Sequence, residues 1–194
     1  MRKDSMSTAA ASRIQVERYT GLAGIRQVML DMYADVRHDL IHLPHYSADS
    51  FAERLDRHAA EDGWEAVIGY DGVEPVGYAY GNTVLAGNRW WTRMDEPLPP
   101  GFDQVPTLAL KELGVRPAWR KTGASLRLHD ALLAGRPEPR VTLLVNPKAG
   151  DGKVQALYAS WGYVPVNRQT PSPGSPALVA MIRAVVRPES QVLR

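Results

Sequence analysis

The stretch that decides the fold is residues 107–134, Thr-Leu-Ala-Leu-Lys-Glu-Leu-Gly-Val-Arg-Pro-Ala-Trp-Arg-Lys-Thr-Gly-Ala-Ser-Leu-Arg-Leu-His-Asp-Ala-Leu-Leu-Ala. Apolar side chains recur in residues 107–115 with a period near two, which predicts a β-strand. Pro117 cannot continue the hydrogen-bond ladder of a strand, so the strand ends before it. Residues 123–134 then predict a helix, and Thr122 is the expected N-cap.

The turn between this strand and this helix has the composition of an anion site. Residues 120–125 read Arg-Lys-Thr-Gly-Ala-Ser, and we call them the anion-binding turn. The first amides of a helix have no intrahelical partner, and the helix dipole favours negative charge there. Gly123 lacks the Cβ that would hold a ligand away from the backbone, while Arg120 and Lys121 add cationic donors. The pattern predicts that the turn binds a pyrophosphate.

Composition limits the class of protein. The 194 residues suit one domain, and the hydrophobic fraction of 44% is that of a globular chain. A net charge of +2 is too small to predict a nucleic-acid partner, and no apolar run has the length of a membrane span. The absence of cysteine excludes disulfides and thiolate metal sites. We expect a cytoplasmic protein with a disordered leader (1–12), one domain (13–186) and a loose tail (187–194).

Hydrophobic periodicity predicts the other elements. Further strands are expected at residues 13–19, 64–70, 75–85, 140–145, 162–166 and 177–186. Further helices are expected at residues 22–36, from Ser47 or Ser50 to residue 61, and at 152–161 after an Asp151 cap. Residues 86–106 predict a long connection without regular structure, and a connection of that length is usually functional or mobile.

Several of these features resemble the GCN5-related N-acetyltransferases (GNATs). Arg120-x-x-Gly123-x-Ser125 is similar to their acyl-CoA signature, (Gln/Arg)-x-x-Gly-x-(Gly/Ala), although this chain ends it with serine. Asn146, followed later by Leu-Tyr158-x-x-Trp-Gly-Tyr, resembles a second family pattern. The order β-α-α-β-β-β-α-β-α-β-β matches the family over residues 13–186. The resemblance implies a mixed α/β (α+β) single domain with a central, splayed, mostly antiparallel sheet flanked by helices.

The resemblance also implies acetyl-CoA as the cofactor. Its pyrophosphate would lie on the anion-binding turn, and its pantetheine arm would pair with backbone amides of β-strand residues, one of which would also stabilise the oxyanion. The residues implied in cofactor binding are Leu113, Val115, Arg120, Lys121, Thr122, Gly123, Ala124, Ser125 and Asn146. For Asn146 the equal alternative is a turn residue before Pro147.

Acetyl transfer to an amine needs a base for the amine and an acid for the departing thiolate. Tyr158 occupies the family position of the acid, and a phenol with a pKa of about 10 can protonate a thiolate whose acid has a pKa of about 8.5. The alternative is that Tyr158 only completes an apolar helix face. The resemblance implies Glu112 as the base, because family members often place a glutamate on this strand. Its alternatives are a solvent-facing carboxylate paired with Lys111 or Arg116, or replacement by a histidine of the 38–45 loop.

The acceptor-binding residues are expected to come from the first helix, the loop after it, the second hairpin strand and the connection at 86–106. The candidates are Tyr33, His45, Tyr80, Trp90 and Trp91. The two tryptophans are expected to line the acceptor site (an acceptor wall), to form a dimer contact, or to fill the edge of the core (the plug alternative). No metal site is predicted, because Pro44 interrupts the only cluster of histidines.

The resemblance implies an acetyl-CoA-dependent N-acetyltransferase in which a primary amine of a small molecule attacks the thioester directly. Acidic residues at 95, 96 and 103 suit an aminoglycoside or a polyamine, with a peptide or protein amine as the second choice. The alternative from another class is a non-catalytic acyl-CoA-binding or regulatory module. No nucleic-acid or membrane partner is expected, and homodimerisation is an expectation from the family resemblance.

Overall fold

A computed structural model describes residues 13–170 and 176–185. The predicted leader and tail, and Val186 at the end of the last predicted strand, lie outside these residues. The seven strands are β1 Gln15–Tyr19, β2 Glu65–Asp71, β3 Glu74–Val84, β4 Thr107–Val115, β5 Arg140–Val145, β6 Val164–Gln169 and β7 Leu178–Ala184. The α-helices of the described part are α1 Arg26–Val36, α2 Ala48–Ala59, α3 Arg89–Thr92, α4 Ala124–Leu133 and α5 Lys153–Ser160.

The strands belong to one sheet with the order β1-β2-β3-β4-β5-β7-β6. The pairs β1–β2, β2–β3, β5–β7 and β6–β7 are antiparallel. The predicted fold class, a mixed α/β fold with a mostly antiparallel sheet, is therefore confirmed. Within the described residues, no helix is both long enough and apolar enough to span a bilayer.

The described chain divides into two compact units, each taken by itself below. The first unit comprises residues 13–83 and 110–136, and the second comprises residues 84–109, 137–170 and 176–185. The predicted boundaries of a single domain over residues 13–186 stay a prediction.

In the first unit, α1 and α2 pack on one face of β2 and β3. Aromatic and aliphatic side chains fill this layer: Ile25, Met29, Met32, Tyr33, Phe51, Leu55, Trp64, Ala66, Ile68, Tyr78 and Tyr80. Helix α4 lies against the opposite face, where Leu128 is fully buried beside Gly69 and Gly77. Arg18 bonds to the carbonyl oxygens of Ala131 and Ala134 at the end of α4, which gives those carbonyls partners that the helix itself lacks.

In the second unit, the connection at 86–106 is ordered, and the prediction of a structureless segment is wrong. The side chain of Asn88 accepts a hydrogen bond from the Trp90 amide at 2.8 Å and so caps the short helix α3. Trp90 and Trp91 are buried with Val84 and Ala109 in a separate apolar cluster. A pair of adjacent tryptophans that both reach this cluster holds the connection in place.

The N-cap residues of two helices differ from those that the sequence predicts. Ser47, the first of the two serine alternatives, is the N-cap of α2 and accepts from the Ser50 amide at 3.2 Å. Thr122 and Asp151 were expected to cap their helices, but the N-caps of α4 and α5 are Gly123 and Gly152, neither with a side-chain cap bond. Both glycines have the positive φ that favours glycine, at 90° and 82°.

Candidate functional site

The anion-binding turn leads directly from β4 into α4. After β4 ends at Val115, a 3₁₀ turn, Pro117–Trp119, redirects the chain. The Thr122 hydroxyl donates to the Trp119 carbonyl at 2.7 Å and accepts only a long bond, 3.4 Å, from the Ala124 amide. The Arg127 amide bonds back to the Gly123 carbonyl at 3.1 Å. Because the N-cap residue offers no side chain to cap the helix, the amides of its first turn face the outside of the helix end.

The two cations of this turn have different positions. The Arg120 guanidinium donates to the Val36 carbonyl at 2.9 Å and to the Val115 carbonyl at 3.4 Å, so it joins the end of α1 to the end of β4. Lys121 is exposed and has φ 63°, a left-handed conformation that is costly for a residue with a Cβ. Arg120 therefore holds the backbone of the turn, and Lys121 is placed to add positive charge at its surface.

Glu112 lies on β4 and forms an ion pair with Arg37. Arg37 Nη2 is 2.8 Å from Glu112 Oε1, and the Glu112 side chain is only 13% exposed. Burial lowers the pKa of Arg37, but the charge of Glu112 and the hydrogen bond to it outweigh burial, so the net shift is upward. The Glu112 carboxylate thus lies beside a guanidinium in a poorly exposed position.

The partners suggested for Glu112 by sequence proximity are engaged elsewhere. Lys111 Nζ lies 3.3 Å from a carboxylate oxygen of Glu61. Arg116 Nε lies 2.8 Å from Asp35 Oδ2. Lys111 and Arg116 therefore pair with carboxylates of the helical layer and its connections, and Glu112 pairs with the arginine that follows α1.

The charge of Glu112 acts on a cluster of aromatic side chains in the first unit. Tyr33 stacks on Phe51 with ring centroids 3.8 Å apart, and Tyr78 and Tyr80 are nearly parallel at 6.4 Å. Burial, followed by the charge of Glu112, raises the pKa of Tyr33, Tyr78 and Tyr80. All three phenols are therefore protonated at neutral pH.

His58 is a member of this cluster that sequence reasoning missed. Its Nδ1 lies 3.2 Å from the Tyr80 hydroxyl. Burial, followed by the positive charges of Lys111, Arg57 and Arg54, lowers the pKa of His58 to about 3, so its ring is neutral at pH 7. The only signal in the sequence is its position three residues after Leu55, on the buried side of α2.

The structure brings two of the five predicted acceptor residues to Glu112. Tyr33 and Tyr80 are buried there, and the charge of Glu112 acts on both phenols. The side chain of His45 is exposed, while its carbonyl oxygen accepts a 3.3 Å bond from Arg54. Arg54 and Arg37, which no pattern indicated, complete the group.

Trp90 and Trp91 belong to the second unit and are buried there. Trp91 meets Phe102 edge-on with ring centroids 5.7 Å apart, and the Arg140 guanidinium lies 5.7 Å above the Trp91 ring. Together with the apolar cluster that contains both residues, these contacts place Trp90 and Trp91 in the core of that unit, as the plug alternative anticipates. Their contact with an acceptor stays a prediction.

Tyr158 and Asn146 also belong to the second unit. The Tyr158 ring meets those of Trp161 and Tyr163 edge-on, with centroids 5.4 and 5.7 Å away. The Asn146 side-chain oxygen accepts the Lys148 amide at 2.9 Å, which is the turn geometry that the alternative predicts. The catalytic role of Tyr158 and the cofactor role of Asn146 remain predictions.

The first histidine after α1 has partners close in sequence. His38 Nε2 lies 2.9 Å from Asp39 Oδ1, and its Nδ1 lies 3.1 Å from the Asp35 carbonyl. Across residues 13–170 and 176–185, the His, Cys, Asp and Glu side chains form no group of three that could hold a metal ion.

Comparison with known proteins identifies the fold. No family model and no curated protein matches the chain. The solved structure of an acetyltransferase from Thermus thermophilus is 17% identical, with a TM-score of 0.60 over 89% of this chain and 97% of that one. A GNAT-family acetyltransferase from Bacillus cereus ATCC 10987 is 13% identical, with a TM-score of 0.59 over 90% and 99% of the two chains.

A third solved structure is an aminoglycoside 6'-acetyltransferase of type Ii. It is 19% identical, with a TM-score of 0.58 over 90% of this chain and 99% of that one. Each of the three likenesses therefore extends over nearly the whole of both chains. The chain has the fold of the GCN5-related N-acetyltransferases.

Proposed function

We propose that the protein is an acetyl-CoA-dependent N-acetyltransferase whose acceptor is a primary amine of a small molecule. The observation that carries the proposal is the start of α4, which has no side-chain cap and follows β4 after one 3₁₀ turn, in a fold shared with acetyltransferases. A helix start with outward-facing amides, a glycine at φ 90° and adjacent cationic residues fits a pyrophosphate group. The bound cofactor would supply the activated acetyl group.

The residues proposed to hold the cofactor are those of the anion-binding turn. The amides of Ala124 and Ser125 would donate to phosphate oxygens, and Lys121 would add a cationic contact. Arg120 would act indirectly, because its guanidinium is committed to the carbonyls of Val36 and Val115. The amides of Leu113 and Val115 on β4 stay the proposed contacts for the pantetheine arm.

For the chemistry, Glu112 is the proposed base. Its carboxylate is poorly exposed, and the amine must lose a proton before or during attack. Tyr158 is the proposed acid for the departing thiolate, on the strength of the family resemblance. The acceptor amine would approach Glu112 among Tyr33, Tyr78 and Tyr80, whose neutral phenols and rings leave Glu112 as the negative group of the cluster.

Calorimetry with coenzyme A tests the cofactor site. We expect the wild-type protein to bind coenzyme A, and Gly123→Asp to weaken binding by at least about tenfold, since a carboxylate and a Cβ would then occupy the anion site. Gly24→Asp is the matched control, because Gly24 has φ +83° and a Cβ at that position would meet nothing within 4 Å. The control carries the same backbone cost and charge, and we expect its affinity to equal that of the wild type.

An amine panel tests turnover. Thiol release from acetyl-CoA should depend on an added primary amine and yield an acetylated product. Binding of coenzyme A without thiol release on any amine would favour the non-catalytic module instead. Equal binding by wild type and Gly123→Asp would contradict the proposed cofactor site.

A further inference from the structure

More positive than negative side chains interact with one another around Glu112. Arg37 and Arg54 both interact with Glu112, directly in the case of Arg37 and through its field in the case of Arg54. Lys111 and Glu61 form a separate pair and cancel. The cluster thus sets two guanidinium groups against one carboxylate.

Arg54 is held by carbonyl oxygens and aromatic rings. Its Nη1 donates to the carbonyl oxygens of His45 and Ser50, at 3.3 and 3.2 Å. Its guanidinium carbon lies 6.0 Å from the centre of the Tyr33 ring and 5.6 Å from that of Phe51. Among the residues that the structure describes, no carboxylate lies within ion-pair distance of Arg54. A half-buried guanidinium fixed by carbonyls and rings is oriented but not neutralised.

The neighbouring titratable groups do not offset the extra positive charge of the two arginines. Burial raises the pKa of Tyr33, Tyr78 and Tyr80, so these phenols add no negative charge at neutral pH. Burial lowers the pKa of His58 to about 3, so its ring adds no positive charge. The Tyr78 hydroxyl is buried and has no hydrogen-bond partner within the described part of the chain. The cluster therefore contains one guanidinium without an ion pair and one buried hydroxyl without a hydrogen-bond partner among the described residues.

We propose that the acceptor carries a carboxylate next to its amine, and that Arg54 binds this carboxylate while the amine faces Glu112. Planar guanidinium groups bind carboxylates through paired hydrogen bonds, and ring contacts hold Arg54 in one orientation. A polycation would bring several positive charges to a cluster that already has a surplus, so this inference disfavours a polyamine or an aminoglycoside. The inference rests on the proposed function, because it names the acceptor class for the same site.

Matched amines test the inference. For several amino acids, the acetylation rate is compared with those of the corresponding carboxamide and of the decarboxylated amine, with spermidine as the polycation. We expect kcat/KM for the acid to exceed that for its carboxamide by about 10- to 100-fold. Arg54→Gln should remove that preference by raising KM for the acid, so that kcat/KM for the acid falls to about that for the carboxamide in the same variant. Arg54→Lys should restore part of the preference, because it restores the charge.

Arg57→Gln is the control, since Arg57 lies on the same helix and is exposed. It should leave the preference for the acid intact, and coenzyme A binding should be the same in all three variants. A preference for spermidine or the carboxamide, or an acid preference that survives in Arg54→Gln, would overturn the inference while leaving the acetyltransferase intact. If no amine is acetylated, the proposed function fails and the inference fails with it.

Discussion

At the scale of single residues, Glu112 differs from a surface carboxylate in its burial and in its ion-pair partner. Arg37 lies 75 positions away in the sequence, yet it supplies the 2.8 Å ion pair. The pair fixes the carboxylate in a poorly exposed position, where the proposed base would accept the proton of the amine. Glu61 offers a natural comparison, because it is also ion-paired but with Lys111.

Glu112→Gln should lower kcat/KM for amine acetylation by about 100-fold or more, because the amide side chain cannot accept the proton. Glu61→Gln removes a carboxylate from a comparable ion pair and should change kcat/KM by less than about threefold. Both variants should bind coenzyme A as the wild type does. Similar losses in the two variants would mean that the ion pairs matter for folding and that Glu112 is not the base.

The substitution Tyr158→Phe distinguishes a catalytic role of the Tyr158 hydroxyl from a packing role of its ring. The change keeps the ring that contacts Trp161 and Tyr163 and deletes only the hydroxyl. If the hydroxyl protonates the leaving thiolate, single-turnover acetyl transfer should slow by about 100-fold at unchanged melting temperature. An unchanged rate would leave Tyr158 as a packing residue of the second unit.

At the scale of elements, β3 and β4 approach each other closely at two glycines. A Cβ on Gly77 would lie 2.6 Å from the Gly114 carbonyl oxygen and 3.0 Å from Leu128. A Cβ on Gly114 would meet the Tyr78 ring at 3.0 Å. Because Gly77 and Gly114 have no side chains, Leu128 of α4 and Tyr78 of β3 can pack closely on these strands. This close packing fixes the position of β4 and therefore that of Glu112.

Gly77→Ala should reduce the free energy of unfolding by about 1–3 kcal/mol, because a backbone carbonyl cannot move aside as a flexible side chain can. Gly21→Ala, whose Cβ would meet nothing within 4 Å, should change it by no more than about 0.5 kcal/mol. Urea unfolding of the two variants measures the difference. Equal stabilities would show that β3 and β4 can separate at low cost.

At the scale of the whole molecule, local patterns predicted the elements better than they predicted the site. The bounds of β4 and β5 agree with the prediction residue for residue, since both strands combine apolar runs with clear breaks. Helix α3 was missed because a four-residue helix has no period to read, and its stability comes from burying Trp90 and Trp91. Contacts between distant residues decide such segments.

The candidate site also has a part that local sequence predicts and a part that depends on contacts between distant residues. The anion-binding turn could be found from six consecutive residues, because its chemistry depends on local backbone geometry. Arg37, Arg54 and His58 could not, since each acquires its role from side chains on other elements. Arg54 did carry one signal: it lies three residues after Phe51 on α2, so a cation was directed toward an otherwise apolar layer.

Arg120 has a consequence for the sequence of events in the reaction. Its guanidinium joins the carbonyl of Val36 to that of Val115, and Val36 immediately precedes Arg37, the partner of Glu112. Any displacement of the turn on loading the cofactor would therefore be passed along one short tether to Arg37 and to the carboxylate that it holds. For the proposed acetyltransferase, this tether predicts an ordered mechanism, in which the cofactor binds before the acceptor.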